Sequence, residues 1–317
     1  MNILVTGSSG FIGFHLVNNL LSSGHHVTGI DNHNDYYDPS LKEYRNSLLK
    51  SNNFIFYKQD INDLSLKNSN FDIAINLAAQ AGVRVKKEKQ HLYEHSNIFG
   101  FESFCEFCIA NKVKKVLYAS SSSVYADSAS RKFTENVTNL NPKSLYGQSK
   151  LLNETYASEL VGKYDISIIG LRFFSVYGPL GRPDMAYYLF TKALKNNLPV
   201  QLHNNGNMLR DMTYIDDIIQ GINGAISYLF KSKRQIKNEI FNLGNDQPIS
   251  TNDVLNIIEK KLNKISKVQD VQITNESIFT HADISRAKNL LGYQPRTKFE
   301  NGIEKFLRWY EAYYENL

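Results

Sequence analysis

The chain has 317 residues, of which 42% are hydrophobic and 21% charged, with a formal net charge of +5. That describes a globular chain of one large or two unequal domains with ample core material. The charge excess is small and spread out, densest at Lys86-Lys87 and Lys112 to Lys115, so nucleic-acid binding is not implied and a basic pocket for an anionic substrate fits as well. The two cysteines, Cys105 and Cys108, lie in an apolar helical stretch without a redox βα context or a second pair of metal ligands. They are read as core thiols of a reducing, cytoplasmic compartment, and no metal site is expected. There is no run of about 18 apolar residues and no basic leader, so neither membrane insertion nor secretion is expected.

Taken in order, Asn2 to Thr6 reads as a buried strand, and Gly7-Ser8-Ser9-Gly10-Phe11-Ile12-Gly13 opens a helix through about Ser22. A glycine turn between strand and helix suits a dinucleotide: Gly7 permits the turn, Gly10 lets backbone N–H groups approach a pyrophosphate, and Gly13 lets the helix pack on the strand. The spacing is G-x-x-G-x-x-G, weak alone, but its place as the first βα turn favours the dinucleotide reading. A second strand, His26 to Ile30, ends at Asp31, about twenty residues beyond the turn, where a carboxylate takes ribose hydroxyls and repels a 2′-phosphate. NAD is therefore expected rather than NADP.

Strands follow at Phe54 to Lys58, ending near Asp60-Ile61, and at Asp72 to Leu77, ending at Ala78-Ala79. Asp60 is placed to meet the adenine and Ala78-Ala79 to let the cofactor pass. Arg84 projects to the same edge, either towards a substrate anion or to the surface. An aromatic-rich helix runs from about Asn97 to Asn111 and is either buried or a dimer face. A fifth strand, Val116 to Ala119, runs into Ser120-Ser121-Ser122-Ser123, and a sixth covers Ile166 to Leu171.

Between these last two strands, Ser144-Leu145-Tyr146-Gly147-Gln148-Ser149-Lys150 sets a phenol and an ammonium on one face at the start of a helix. A nearby ammonium favours the phenolate, so Lys150 is expected to lower the Tyr146 pKa. Alone, the pair reads as readily as two surface residues. With the serine hydroxyls at a strand end on the cofactor's edge, it argues for proton and hydride transfer at a carbinol.

These motifs resemble the extended short-chain dehydrogenase/reductases of the nucleotide-sugar epimerase type, through Thr6-Gly7-x-x-Gly10-x-x-Gly13, Ser121 and Tyr146-x-x-x-Lys150. Within that group the chain is most similar to UDP-glucuronate 4-epimerases. The stretches Asp31 to Asp38, Leu77 to Arg84, Arg172 to Pro179 and Gly181 to Ala186 carry the closer likeness, and later Arg210 to Ile218, Phe241 to Gly244, Ala282 to Ala287 and Leu291 to Pro295 follow the family's pattern. The resemblance implies an α/β fold: a Rossmann-type doubly wound parallel sheet over residues 1–175, with returns near 213–243, and a smaller mixed α/β nucleotide-sugar domain in the remainder of 176–317.

It also implies the roles. Gly7, Gly10, Phe11, Ile12, Gly13, Asp31, Asn32, Asp60, Ile61, Leu77, Ala78 and Ala79 would hold NAD, with Tyr146 and Lys150 at its nicotinamide end. Tyr146 is the expected base at the sugar 4-hydroxyl, Ser121 bonds O4, and Lys150 holds the nicotinamide ribose. Ser122, Ser123, Ser175 and Arg182 fall where the family holds a C5 carboxylate, Arg210 meets the phosphates, and Arg84 contributes to the substrate side. Ser175 keeps the hydroxyl of the usual Thr, Met212 replaces an aromatic, and in Ile273 to Glu276 only the acid Glu276 persists of the family's turn beside ribose and phosphates. A homodimer built on the helices Asn97 to Asn111 and Ser144 to Lys163 is expected. The rival activities are epimerisation of a neutral UDP-hexose, UDP-glucuronate decarboxylation or 4,6-dehydration, and, from another class, non-catalytic NAD binding. Decarboxylases and dehydratases carry a Glu before Val-Tyr, where this chain has Ser121-Ser122-Ser123.

Overall fold

The computed structural model describes residues 1–66, 70–84, 86–125, 132–233, 235–273 and 277–315. The apolar run Ile3-Leu4-Val5 forms the centre of β1 (Asn2–Thr6), buried on both faces as a strand of a covered parallel sheet must be. Around it stand β2 (His26–Asp31), β3 (Phe54–Lys58), β4 (Ile73–Asn76), β5 (Lys115–Ser121) and β6 (Ser167–Phe173). A late strand, β10 (Glu239–Leu243), completes a seven-stranded sheet of order β10-β6-β5-β4-β1-β2-β3, parallel at every pairing.

Alternation along the strands sends apolar side chains into two cores. Ile3, Val5, Ile75 and Leu117 pack with α1 (Phe11–Ser22) and α7 (Ile215–Lys231), while Leu4, Ala74, Val116 and Tyr118 pack on the other face with α4 (Gly100–Ala110) and α5 (Leu145–Lys163). Two shorter helices, α2 (Ser40–Leu48) and α3 (His91–Tyr93), lie in the connections after β2 and β4. The rest of the chain adds β7 (Ser175–Tyr177), α6 (Ala186–Lys195), β8 (Val200–His203) and β9 (Leu209–Tyr214), then β11 (Pro248–Ser250), α8 (Thr251–Leu262), β12 (Val268–Val271), α9 (Ser285–Leu291) and α10 (Phe299–Glu315). They form a three-stranded sheet β11-β9-β7 and a parallel pair β12-β8. No helix among the described residues is long and apolar enough to cross a membrane.

Several expectations change in detail. Within 213–243, β10 joins the main sheet and α7 packs on its face, while the Thr213 end, in β9, belongs to the sheet with β7 and β11. The fifth strand reaches Ser121 instead of stopping at Ala119: Ser120 and Ser121 stay in register with Arg172 and Phe173, and the Ser120 hydroxyl donates to the buried Glu154 carboxylate at 2.5 Å. The helix expected from Asn97 begins at His91 and widens into a π-helix over Glu94–Phe99. Within that widened turn, the Asn97 side chain accepts from Gln80 N–H at 2.7 Å and donates to Gln80 C=O and to the Ser149 hydroxyl, a side-chain tie of the kind that accompanies such bulges. Phe101, Phe104, Phe107, Cys105 and Cys108 are all buried, so most of the aromatic helix serves the core, and Phe99 alone of its phenylalanines is exposed, at 52%. Burial pushes both thiols up, which keeps them inert.

Candidate active site

The strand order reverses between β1 and β4, and a parallel sheet opens a crevice beyond its carboxyl ends at such a point. Here the crevice is a cleft of about 800 Å³. Its floor begins at the glycine turn. Gly7 has φ +71, and a Cβ there would lie 2.6 Å from the Ala78 nitrogen; at Gly13 it would lie 2.0 Å from the Gly7 carbonyl. The turn therefore closes against the end of β4, and α1 starts directly over it.

Of the residues expected at the cofactor, Gly7, Gly10, Phe11, Ile12, Gly13, Asp31, Asn32, Ile61, Leu77, Ala78 and Ala79 line this cleft. Asp31 ends β2 and accepts from Ser9 N–H at 3.2 Å and from His33 N–H at 2.9 Å, which ties it to the glycine turn. Asp60 stands just behind the cleft-lining Asn32 and Ile61. Its carboxylate caps a short 3-10 turn, accepting from Asn62 N–H at 3.0 Å and from Asn32 Nδ2 at 2.8 Å. It orients Asn32, which does face the cleft.

At the other end, Ser144 caps α5 by accepting from Gly147 N–H at 3.0 Å, and Gly147 sits so close to the Ser121–Ser123 turn that a Cβ would lie 2.3 Å from the Ser123 carbonyl. This seats the first turn of α5 on the end of β5. The Tyr146 phenol lies within reach of the Ser121 side chain, which favours the phenolate, and the Ser121 hydroxyl accepts from Ser123 N–H at 3.1 Å. Lys150 is buried, with its Nζ 5.9 Å from the centre of the Tyr146 ring. It has no hydrogen-bond acceptor among the described residues, an ammonium directed into the cleft that matches a ribose hydroxyl.

Burial and the Arg182 charge act on Tyr146 in opposite directions. Burial pushes the Tyr146 phenol above its ordinary value, opposed by the Arg182 charge and the Ser121 side chain, whereas Asp184 adds to the rise. Lys150 is itself pushed down to about 8 by burial. Its ammonium stands 5.9 Å from the centre of the Tyr146 ring, and the Arg182 charge adds a pull towards the phenolate.

The substrate-side residues converge as expected: Arg84, Ser121, Ser122, Ser123, Ser175, Arg182 and Arg210 all line the same cleft, with Met212 filling the wall beside them. Arg84 Nη1 lies 3.3 Å from His203 Nε2, and Arg210 Nη1 donates to the Leu209 carbonyl at 3.0 Å. Asp211 turns inward to accept from the backbone N–H groups of Asn245, Asp246 and Ala282. Glu276 lies outside the described residues. Tyr36 and Asp184, which fall in family-like stretches but carry no expected role, also line the cleft: the Tyr36 hydroxyl donates to Asp184, and Asp184 pairs with Arg182.

The profile of the NAD dependent epimerase/dehydratase family matches residues 3–244. The chain belongs to that family. An uncharacterised protein of Methanocaldococcus jannaschii is 42% identical over 98% of this chain and 96% of its own length. UDP-glucuronate 4-epimerase 4 of Arabidopsis thaliana is 40% identical over 99% of this chain and 76% of its own. Among solved structures, the UDP-glucuronic acid 4-epimerase of Bacillus cereus, in complex with UDP-glucuronic acid and NAD, superposes with a TM-score of 0.91 at 34% identity, covering 99% of this chain and 100% of the other. The glycine turn, Asp31 and the unpartnered ammonium of Lys150 fit the cofactor that the family name specifies.

Proposed function

We propose that the protein is an NAD-dependent 4-epimerase of UDP-sugars that interconverts UDP-glucuronate and UDP-galacturonate. The observation that carries this reading is the placing of a guanidinium, Arg182, in the same cleft as the Ser121 and Tyr146 hydroxyls. A carbinol at that hydroxyl pair then shares its cleft with a cation that suits an anionic group on the same sugar.

NAD, when bound, supplies the acceptor and later the donor of a hydride at C4. The chain's own residues do the rest. Tyr146, as phenolate, removes the proton from O4 while Ser121 bonds that oxygen and fixes the direction of transfer. Lys150 holds the nicotinamide ribose. The 4-keto sugar turns its other face to the cofactor, and Tyr146 returns the proton as hydride returns to C4, so no outside oxidant is consumed. Ser122, Ser123, Ser175 and Arg182 grip the C5 carboxylate, Arg210 meets the phosphates, and Arg84 adds a cation for the substrate anion. That grip protects the intermediate: a 4-keto uronate is a β-keto acid, and it loses carbon dioxide when its carboxylate stands perpendicular to the carbonyl. Holding the carboxylate in another orientation among hydroxyls and a cation suppresses the loss.

Conversion of UDP-glucuronate by the NAD-loaded protein tests the reading. Proton NMR is expected to show UDP-galacturonate; a pentose product, or turnover of a neutral UDP-hexose alone, would contradict it.

We further infer a cytoplasmic homodimer supplying a surface polysaccharide. For the dimer, the support is exposed apolar surface on adjacent helices, Phe99 at 52% and Leu152 on α5 at 51%, a narrower patch than the aromatic content of the first helix implied. Light scattering is expected to give twice the chain mass, and a monomer at working concentration would remove this proposal.

A further inference from the structure

Arg182 already holds a carboxylate. Its Nε donates to Asp184 Oδ1 at 3.0 Å and its Nη2 to Oδ2 at 2.7 Å, the side-on fork that gives a guanidinium its strongest pairing. Asp184 Oδ2 also accepts from the Tyr36 hydroxyl at 2.9 Å. Tyr36 reaches in from the segment between β2 and α2, and its hydroxyl is packed against Gly82, where a Cβ would come within 2.0 Å of it. The Arg182 and Asp184 side chains are 25% and 30% exposed, both towards the cleft. The ion pair is thus pinned from across the cofactor cleft.

The fork is the edge a substrate carboxylate would take if it met Arg182 alone. With that edge occupied, the Nη1 edge remains, and the guanidinium charge is largely balanced before any substrate arrives. An epimerase has reason to moderate this grip. Between the two hydride transfers the keto sugar has to turn over, and an anion held by a fully unbalanced, partly buried cation resists turning, because tight binding of the intermediate deepens the well it must leave.

Resting on the uronate reading above, we propose that Asp184, fixed by Tyr36, is a built-in competitor for the substrate carboxylate: it positions Arg182 by the side-on edge, leaves the Nη1 edge to the substrate, and weakens the hold so that the keto sugar can rotate. Asp184 is a positioning residue in this account and touches no reacting atom. The proposal reverses the sign that a structural role would give, since removing Asp184 strengthens substrate binding.

The test uses the NAD-loaded protein and its D184N and D184A variants, with UDP-glucuronate and UDP-glucose as probes. Affinities are read by calorimetry in the Y146F background, where turnover is blocked, and kcat and KM with Tyr146 intact. Removing the Asp184 charge is expected to tighten UDP-glucuronate about tenfold and leave UDP-glucose within about twofold, while kcat and KM for the uronate fall together. Weaker uronate binding in both variants, or an equal change for both sugars, would overturn the proposal. The functional reading is judged separately, on the parent alone: a parent that epimerises only the neutral sugar removes that reading, whatever the variants do.

Discussion

Tyr146→Phe is expected to lower kcat by about a hundredfold to ten-thousandfold, the range that a positioned general base contributes, and to leave NAD bound. The phenyl ring keeps its packing against Tyr93, whose ring centre is 6.3 Å away, and stays beneath the Lys150 ammonium. Only the hydroxyl that meets Ser121 is lost. A binding protein has no use for that hydroxyl, so the variant separates enzyme from sensor. Turnover should be followed by product formation and cofactor content by the absorbance of denatured, desalted protein. Equal activity in variant and parent would refute the role of Tyr146, and loss of NAD together with activity would point to a role in holding the cofactor.

The second large effect lies beneath the site. Glu154 on α5 accepts from Arg172 on β6 through both oxygens, at 2.8 and 2.7 Å, and from the Ser120 hydroxyl. Arg172 Nη1 donates to the Tyr125 hydroxyl at 2.7 Å, and that hydroxyl donates to Asn242 on β10 at 2.8 Å. All of these side chains are buried. Glu154→Ala leaves a guanidinium inside the protein with no carboxylate to balance it, a loss of about 3–5 kcal/mol by analogy with other broken buried pairs. Glu154→Gln, which retains an acceptor, should cost less. The effect is read as a fall in the midpoint of denaturant unfolding. An alanine variant as stable as the parent would mean that the Tyr125 hydroxyl and water suffice for Arg172. Because Ser120 adjoins Ser121, the same network sets the end of the strand on which the catalytic hydroxyl stands.

What the sequence disclosed follows from how far apart the interacting groups lie. Gly7, Gly10 and Gly13 belong to one turn, Asp31 ends the next strand, and Tyr146 and Lys150 share one helical face, so short-range spacing exposes them. Their placement in one cleft follows from the parallel order of the sheet. The Glu154–Arg172 network and the Tyr36–Asp184–Arg182 chain are different in kind. Tyr36 and Asp184 are 148 residues apart, and no periodicity links a loop tyrosine to a loop aspartate on opposite banks of a cleft. Composition left one choice open. The aromatic helix could be buried or form an interface, and Phe101, Phe104 and Phe107 turn onto the sheet in the core. The Arg182 charge that acts on Tyr146 is hidden for a related reason: spacing of i and i+4 places Tyr146 and Lys150 on one face, but no local pattern brings Arg182 to the phenol.

The central claim is that one hydride leaves C4 and returns to it from the same bound cofactor. It is tested most directly by running the UDP-glucuronate conversion with deuterium at C4 in ordinary water and reading the product by NMR. The account predicts UDP-galacturonate that retains the deuterium at C4, with no solvent proton in its place. A product carrying a solvent-derived hydrogen at C4 would contradict it, since the bond would then have been remade from a proton instead of the stored hydride.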